Sequence, residues 1–256
     1  MNWRKNYFRS IMSLKLPMNT KKKLLNNLFK DKNVYIFAAG PSLNHVDIEK
    51  MEDLLKENLV ICIKQSYNTL STYSDLLLMN FCNFQDYKWN SLKCPVIWAT
   101  FEDNHSKLIK EQGIRCDEII KIIDNKKGFS YTTAFTNLWS DILDVENMTS
   151  RWGPGLMYEL ALPISLFTGV DTIYLVGWDI GTLDNDNNKS FMNKHFYDHS
   201  KVKMKTKINN KEIELVSEST KDLKEWLEKE GKAIKVISDI SLVHKSINRE
   251  NKWLKK

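Results

Sequence analysis

The sequence predicts an α/β domain with a mostly parallel sheet covered by helices on both faces. Three observations point there. Apolar runs of strand length recur along the chain. Segments with helical spacing lie between several of them. Small or polar residues close the runs.

The elements follow in order. Residues 33–39, NVYIFAA, form an apolar run that stops at Gly40-Pro41 and reads as a buried strand. Asn44 to Lys56 has helical spacing at Val46, Ile48, Met51, Leu54 and Leu55. Strands are expected over 59–63, Asp75 to Asn80, Pro95 to Ala99 and Ile119 to Ile123. Leu156 to Phe167 reads as a buried helix kinked at Pro163 and capped by Gly169. Thr172 to Val176 is a strand ending at Gly177. Lys201 to Val216 alternates polar and apolar residues around Asn209-Asn210, which predicts a β-hairpin inside a lid at about 184–217. Lys221 to Glu230 is an amphipathic helix closed by Gly231, and Ala233 to Ile237 is a last strand. In such sheets ligands bind beyond the carboxyl ends of the strands, so the loops after residues 39, 63, 80 and 177 are the places to search.

Charge divides the chain of 256 residues unevenly. The formal charge is +6, but residues 1–32 hold nine Lys/Arg against one acid, Asp31, and the remainder sums to −2. The body at 33–256 is therefore not basic, which disfavours nucleic acid as its partner. In the extension, Trp3, Tyr7, Phe8, Ile11, Met12 and Leu14 read as the apolar face of a helix, with Arg4, Lys5 and Arg9 elsewhere. That pattern suits a helix lying on an anionic membrane. Arg249, Lys252, Trp253, Leu254, Lys255 and Lys256 repeat the theme. No apolar run approaches the ~20 residues of a membrane span, and no secretory leader is read, so a cytoplasmic protein, peripheral on the inner membrane face, is expected. Cys62, Cys82, Cys94 and Cys116 lack a CxxC and read as reduced thiols, most of them buried.

Four motifs carry the candidate chemistry. Ala38-Ala39-Gly40-Pro41-Ser42-Leu43 follows the first strand; its small residues let a phosphate or ribose approach the backbone, and Ser42 is placed to cap the next helix. It lacks the pattern of GxGxxG and the lysine of a P-loop, and an ordinary strand-to-helix turn would look the same. Arg151-Trp152-Gly153-Pro154-Gly155 opens the buried helix, and the strand after it delivers Asp179, which could hold a ribose or a metal, or cap a turn. His195-Phe196-Tyr197-Asp198-His199-Ser200 offers imidazoles suited to a general base, or a pair of surface histidines. Asp184-Asn185-Asp186 contains a DxD, but it reads better as a solvated loop than as a metal site.

Together these motifs are more specific than any one of them. The order strand–AAGPSL, Met79-Asn80 after a later strand, GPG–helix–IYLVGWD, then HFYDHS resembles bacterial sialyltransferases with a single-domain, Rossmann-like, GT-A-like fold. It also looks like their wider relatives, the pterin diphosphokinase-like proteins that share a GPSL loop. The likeness runs from about Val34 to Leu242 and is patchy between Cys82 and Thr149. It implies a glycosyltransferase that moves an acidic, sialic-acid-like sugar from a CMP-sugar to a glycan acceptor, with inversion and no metal or other cofactor. By resemblance Gly40, Pro41, Ser42, Asn80, Pro154 and Gly155 hold the donor, with Ala39, Lys64 and Asp179 beside them, and His199 is the base that takes the acceptor proton. His195, Tyr197, Arg151 and Lys201 stand as phosphate or acceptor residues.

The departures are specific. Ala39 and Lys64 stand where the family has Asn, and Ile180, Gly181 and Thr182 offer none of the tyrosines that hold the leaving phosphate. Lys64, Arg151 or Lys201 could neutralise that phosphate instead. These changes leave room for another CMP-linked acidic sugar or another nucleotide. Two other readings stay open: a Mg²⁺-dependent pterin-type diphosphokinase using ATP, with Asp179 and Asp184 or Asp186 on the metal, and a non-catalytic nucleotide-binding protein at a membrane.

Overall fold

The strands assemble as their apolar runs predict. A computed structural model describes residues 2–81, 88–100, 103–121, 155–180, 182–183, 189–190 and 210–255. Its main sheet contains β1 (Asn33–Phe37), β2 (Leu59–Ile63), β3 (Leu76–Met79), β4 (Val96–Thr100), β5 (Glu118–Lys121), β6 (Thr172–Val176), β9 (Ala233–Ile237) and β10 (Asn248–Arg249). Their order is β10-β9-β6-β1-β2-β3-β4-β5, and every neighbouring pair is parallel. The chain walks outward from β1 to β5, then returns to the other side of β1 with β6. The strand order thus reverses at β1/β6, where an open parallel sheet leaves a crevice at its carboxyl edge.

Period-two alternation divides the core into two layers. Val34 and Ile36 face a cluster that includes Phe8, Met12, Leu25, Leu160, Phe167, Leu223 and Leu227. These come from α1 (Trp3–Ser13), α2 (Met18–Leu25), a π-helical turn over Met157–Ala161 continuing as α6 (Leu162–Phe167), and α7 (Asn210–Lys229). Tyr35 and Phe37 face the other cluster, with Leu55 of α3 (Glu52–Glu57), Tyr67 of α4 (Ser66–Leu70) and Ile109 of α5 (Asp103–Glu111).

Three sequence expectations change. The helix expected over Asn44–Lys56 is broken into short turns at Pro41–His45 and Glu49–Met51 before α3. The cause is tertiary: Val46 bridges Leu254, and Asp47 N–H donates to Trp253 O, which hold this segment extended. Trp253 and Leu254 thereby pack on the second core instead of repeating an amphipathic theme with the N-terminus. The hairpin expected over Lys201–Val216 fails in its second arm, because α7 begins at Asn210. Ile213, Thr220, Leu223 and Leu227 are buried, a helical period that outweighs four residues of alternation. Residues 201–209 lie outside the described residues. A small antiparallel pair occurs instead at β7 (Thr182–Leu183) and β8 (Lys189–Ser190), bracketing the Asn/Asp loop. Pro163 sits just inside α6, and the mismatch is taken up by the π turn before it, where Leu162 N–H reaches back to Met157 O. Gly169 (φ +81°) closes α6 and leaves no room for a Cβ against Asn27, as a C-terminal glycine cap requires.

The basic extension shares the core. Phe8, Ile11 and Met12 are buried under the sheet, and three of the cations are used internally. Asp75, at the start of β3, has no side-chain exposure; it pairs with Lys5 at 2.9 Å and Arg9 at 2.7 Å and accepts from Val60 N–H at 2.9 Å. Lys5 also donates to the carbonyls of Leu55 and Asn58. Burial acts against both charges, raising the Asp75 pKa and lowering that of Lys5, while their mutual attraction opposes each shift. Fully buried Lys21 donates to Met12 O at 3.0 Å and to Glu118 at 2.7 Å. Cys62, Cys94 and Cys116 are thiols; burial pushes Cys94 up to about 11 and Cys116 up to about 12.

Removing the Asp75 carboxylate strands two cations, one of them deeply buried. Asp75→Ala is expected to lower unfolding free energy by about 3–5 kcal/mol in urea titrations. A loss below about 1 kcal/mol would show that α1 docks through its apolar residues alone.

Candidate functional site

The GPSL loop and the end of β6 are zipped together at the strand-order reversal. Ala38 N–H donates to Val176 O and Gly40 N–H to Gly177 O, both at 2.8 Å, so the pairing of β1 with β6 runs past the strand ends. Gly40 is a requirement of that contact: a Cβ there would lie 2.4 Å from Gly177 O and 2.5 Å from an Asp179 oxygen. Gly177 (φ +67°) would in turn meet Ala38 O at 2.6 Å. Two glycines on facing loops therefore let two backbones touch.

Asp179 locks the closure. Its Oδ2 accepts from Ser42 N–H at 2.8 Å, and its Oδ1 accepts from the Ser42 hydroxyl at 2.5 Å and from Ser238 at 3.4 Å. The carboxylate is 4% exposed and Ser42 fully buried. Both side chains thus shape the loop, and neither is presented to a ligand. This is the turn-capping alternative among the roles open to Asp179. Ser42 does not cap a long helix as expected; its partner is Asp179, and the segment it enters is a single short turn. What the loop offers to a ligand is backbone at Ala39 and Gly40, together with the Pro41 ring, all half-buried.

The neighbouring strands add side chains to the same edge. Lys64 follows β2 with φ +53°, and its N–H donates to Leu78 O at 2.9 Å. Ser66 ties this turn to β1, donating to Phe37 O at 2.7 Å. Asn80 follows β3 and is 8% exposed. Ile180, next to Asp179, has φ +66°. A left-handed conformation costs a residue with a Cβ about 1–2 kcal/mol, and strain of this kind gathers at binding sites. The other two such residues among those described, Asn27 and Asp31, lie in the turn before β1 and are types that tolerate it better. Among the described residues, strain in a lysine and in a β-branched isoleucine is thus confined to the carboxyl edge.

Gly155 (φ +77°) opens the π turn, its carbonyl accepting from Tyr158 and Glu159 N–H, as the sequence expects of a flexible turn before the buried helix. Arg151, Pro154, His195, Tyr197, His199, Lys201 and the DxD of Asp184 and Asp186 lie outside the described residues. Among the described residues no cluster of three or more His, Cys, Asp or Glu is arranged to hold a metal. Nor is any helix there long and apolar enough to cross a membrane.

Three features of the edge escape the sequence reading. Ser238, after β9, reaches Asp179 and also accepts from Ser241 N–H at 2.8 Å. His45, closing the GPSL turn, is 2.9 Å from Asp239 through Nδ1. The strain at Ile180 is the third. The serines follow a strand that the sequence does show, so their position beyond β9 was the available signal. The His45–Asp239 pair joins residues 194 apart and had none.

No protein-family model matches the chain, and no curated protein matches it. Solved structures do. One is the MAf glycosyltransferase from Magnetospirillum magneticum AMB-1, with 11% identity and a TM-score of 0.46 over 87% of this chain; the match spans 34% of that protein. Another is the sialyltransferase CstII from Campylobacter jejuni in complex with cytidine-5'-monophosphate, with 16% identity and a TM-score of 0.45 over 89% of this chain and 88% of that one. A structure of CST-II with a trisaccharide acceptor and CMP matches at 18% identity and a TM-score of 0.40, over 88% of each chain.

Burial holds the Asp179 carboxyl above its ordinary value of 3.8, against the pull of the Ser42 hydrogen bonds. The folded state then keeps a proton through a window in which the unfolded chain has lost it. That stabilising contribution is complete below pH 3.8 and is lost as pH rises through the folded pKa. Asp179→Asn cannot titrate. In denaturant titrations across this window, the stability of the wild type relative to Asp179→Asn therefore falls with rising pH; a flat or rising difference contradicts the burial argument. For Lys64, replacement by Gly removes the left-handed strain and is expected to raise unfolding free energy by up to about 1 kcal/mol. A clear loss of stability would show that the lysine stem supports the turn.

Proposed function

We propose that this protein is a glycosyltransferase that takes an acidic, sialic-acid-like sugar from a CMP-sugar and transfers it to a glycan acceptor. The observation that carries the reading is the closure of the GPSL loop on β6. It puts ligand-accessible backbone at the strand-order reversal of a parallel sheet, flanked by Lys64 and Asn80. The order of motifs along the chain supplies the substrate class.

In this reading the donor phosphate lies over Ala39 and Gly40, where a methyl group and a bare Cα allow close approach. Lys64, held at the edge of β2, faces the charge that develops as CMP leaves. Asn80 orients the nucleotide by hydrogen bonding, and Pro154 and Gly155 also hold the donor. Asp179 acts indirectly, by fixing the loop through Ser42. His199 removes the proton of the acceptor hydroxyl as its oxygen attacks the anomeric carbon; the bond to CMP breaks with inversion, and the proton stays on the imidazole. His195, Tyr197, Arg151 and Lys201 serve the phosphate or the acceptor. No metal takes part.

A thermal-shift screen with CMP, CDP, UDP, GDP, ADP and ATP, with and without Mg²⁺, tests the reading. Stabilisation by CMP without metal is expected, since a ligand that binds only the folded state raises its midpoint. Stabilisation only by ATP with Mg²⁺ would replace the transferase with a diphosphokinase. With an active donor and acceptor pair, His199→Ala is expected to lower turnover by about 10²–10⁴-fold, the usual range for a lost general base. Unchanged turnover removes His199 from that role.

A further inference from the structure

We propose that the exposed stripe of α1, with the adjoining part of α2, is a docking surface for an anionic lipid bilayer. The sequence alone reads one apolar face on this helix. The structure resolves it into two. Phe8, Ile11 and Met12 turn toward the sheet and are buried. Trp3, Tyr7 and Leu14 fall at i, i+4 and i+11, within about 40° of one another on the helical wheel, and face away from the sheet. Trp3 is 65% exposed, Leu14 47% and Tyr7 38%, and Leu24 of α2 adds a further apolar side chain at 43%. Among the described residues the other large apolar side chains with comparable exposure are single and distant in sequence, Leu108 and Ile240.

The charge around this stripe selects the partner. Lys5, Arg9 and Lys21 are consumed by Asp75 and Glu118, so they offer little to a surface outside. Lys15, Lys23 and Lys30 are exposed, and none has a carboxylate partner among the described residues. Arg4 lies over the Trp3 ring at 5.9 Å and donates to Lys30 O, which keeps a cation beside the largest exposed aromatic. Asp31 is the only acid in residues 1–32. Tryptophan and tyrosine settle at the headgroup level of a bilayer, and lysines beside them are drawn to anionic lipid, each by about 1 kcal/mol. A duplex would use the cations and leave the apolar stripe in water, and a single strand, which could stack on Trp3 and Tyr7, would find no ring at Leu14 and Leu24. Because α1 stays clamped through Asp75, docking needs no unfolding of the extension. The surface stands apart from the carboxyl edge of the sheet and does not rest on the transferase reading.

Vesicle flotation of the full chain tests the proposal, with vesicles of neutral phosphatidylcholine and of phosphatidylcholine with about 30% phosphatidylglycerol. Binding to the anionic vesicles at low salt is expected, with loss in high salt and none to neutral ones. Trp3→Ser/Tyr7→Ser and Lys15→Glu/Lys23→Glu should each weaken it by about tenfold or more. Their thermal midpoints should match the wild type, because none of the four side chains is buried. Absence of binding overturns the proposal, as does binding that both double variants retain. So does binding to single-stranded polynucleotide that competes with vesicles and survives the loss of Trp3 and Tyr7.

Discussion

The contact on which the carboxyl edge depends is the pair of hydrogen bonds from Ser42 to Asp179. Two loops 137 residues apart in sequence meet there, one leaving β1 and the other leaving β6. An ionisable carboxylate is costly to bury, and this one is tolerated because the backbone N–H and hydroxyl of one residue satisfy its two oxygens. Gly40 and Gly177 allow the approach that makes those bonds short. Once the loops are locked, the edge presents the backbone of Ala39 and Gly40 and two strained turns, at Lys64 and Ile180. Buried Ser42 and Asp179 are thus the frame of this edge, and Lys64 and Asn80 are the residues that the proposed function places beside the donor.

A second set of buried charges fixes the opposite end of the sheet. Lys5, Arg9 and Lys21 read in the sequence as members of a basic tail. In the structure they anchor α1 and α2 to Asp75 and Glu118, at the amino-terminal ends of β3 and β5. This redistributes the formal charge. A good part of what made the extension basic is neutralised inside the fold, and the remaining cations surround exposed aromatic residues. The molecule therefore has two functional candidates at separate places: the carboxyl edge of the sheet at its strand-order reversal and an amphipathic surface on α1.

Much of the sheet was legible because its strands are short, apolar and sharply bounded. LVICI, TIYLV and AIKVI coincide with β2, β6 and β9 to the residue. The helices were less legible. Val46 and Asp47 are pulled into extended pairing by Trp253 and Leu254, a contact no local pattern encodes. Glu212 to Leu215 satisfies both a strand and a helix period, and burial of Ile213 and Leu223 decides for the helix. Position on the edge was readable for Gly40, Lys64, Asn80 and Asp179, since each follows a recognisable strand. Their roles were not. Whether Asp179 holds a ligand or a loop depends on which donors surround it, and those come from residues 42 and 238. Backbone strain at Lys64 and Ile180 leaves no trace in composition.

Amide hydrogen exchange with and without CMP tests the central claim most directly, because it reports where a nucleotide binds as well as whether it does. Protection centred on the loops over 38–43, 64–66 and 177–180, together with Asn80 and Gly155, is the expected result, since the proposed nucleotide lies against them. Protection elsewhere in the chain with these loops unchanged would contradict the account, and so would a saturating nucleotide that leaves every amide unprotected.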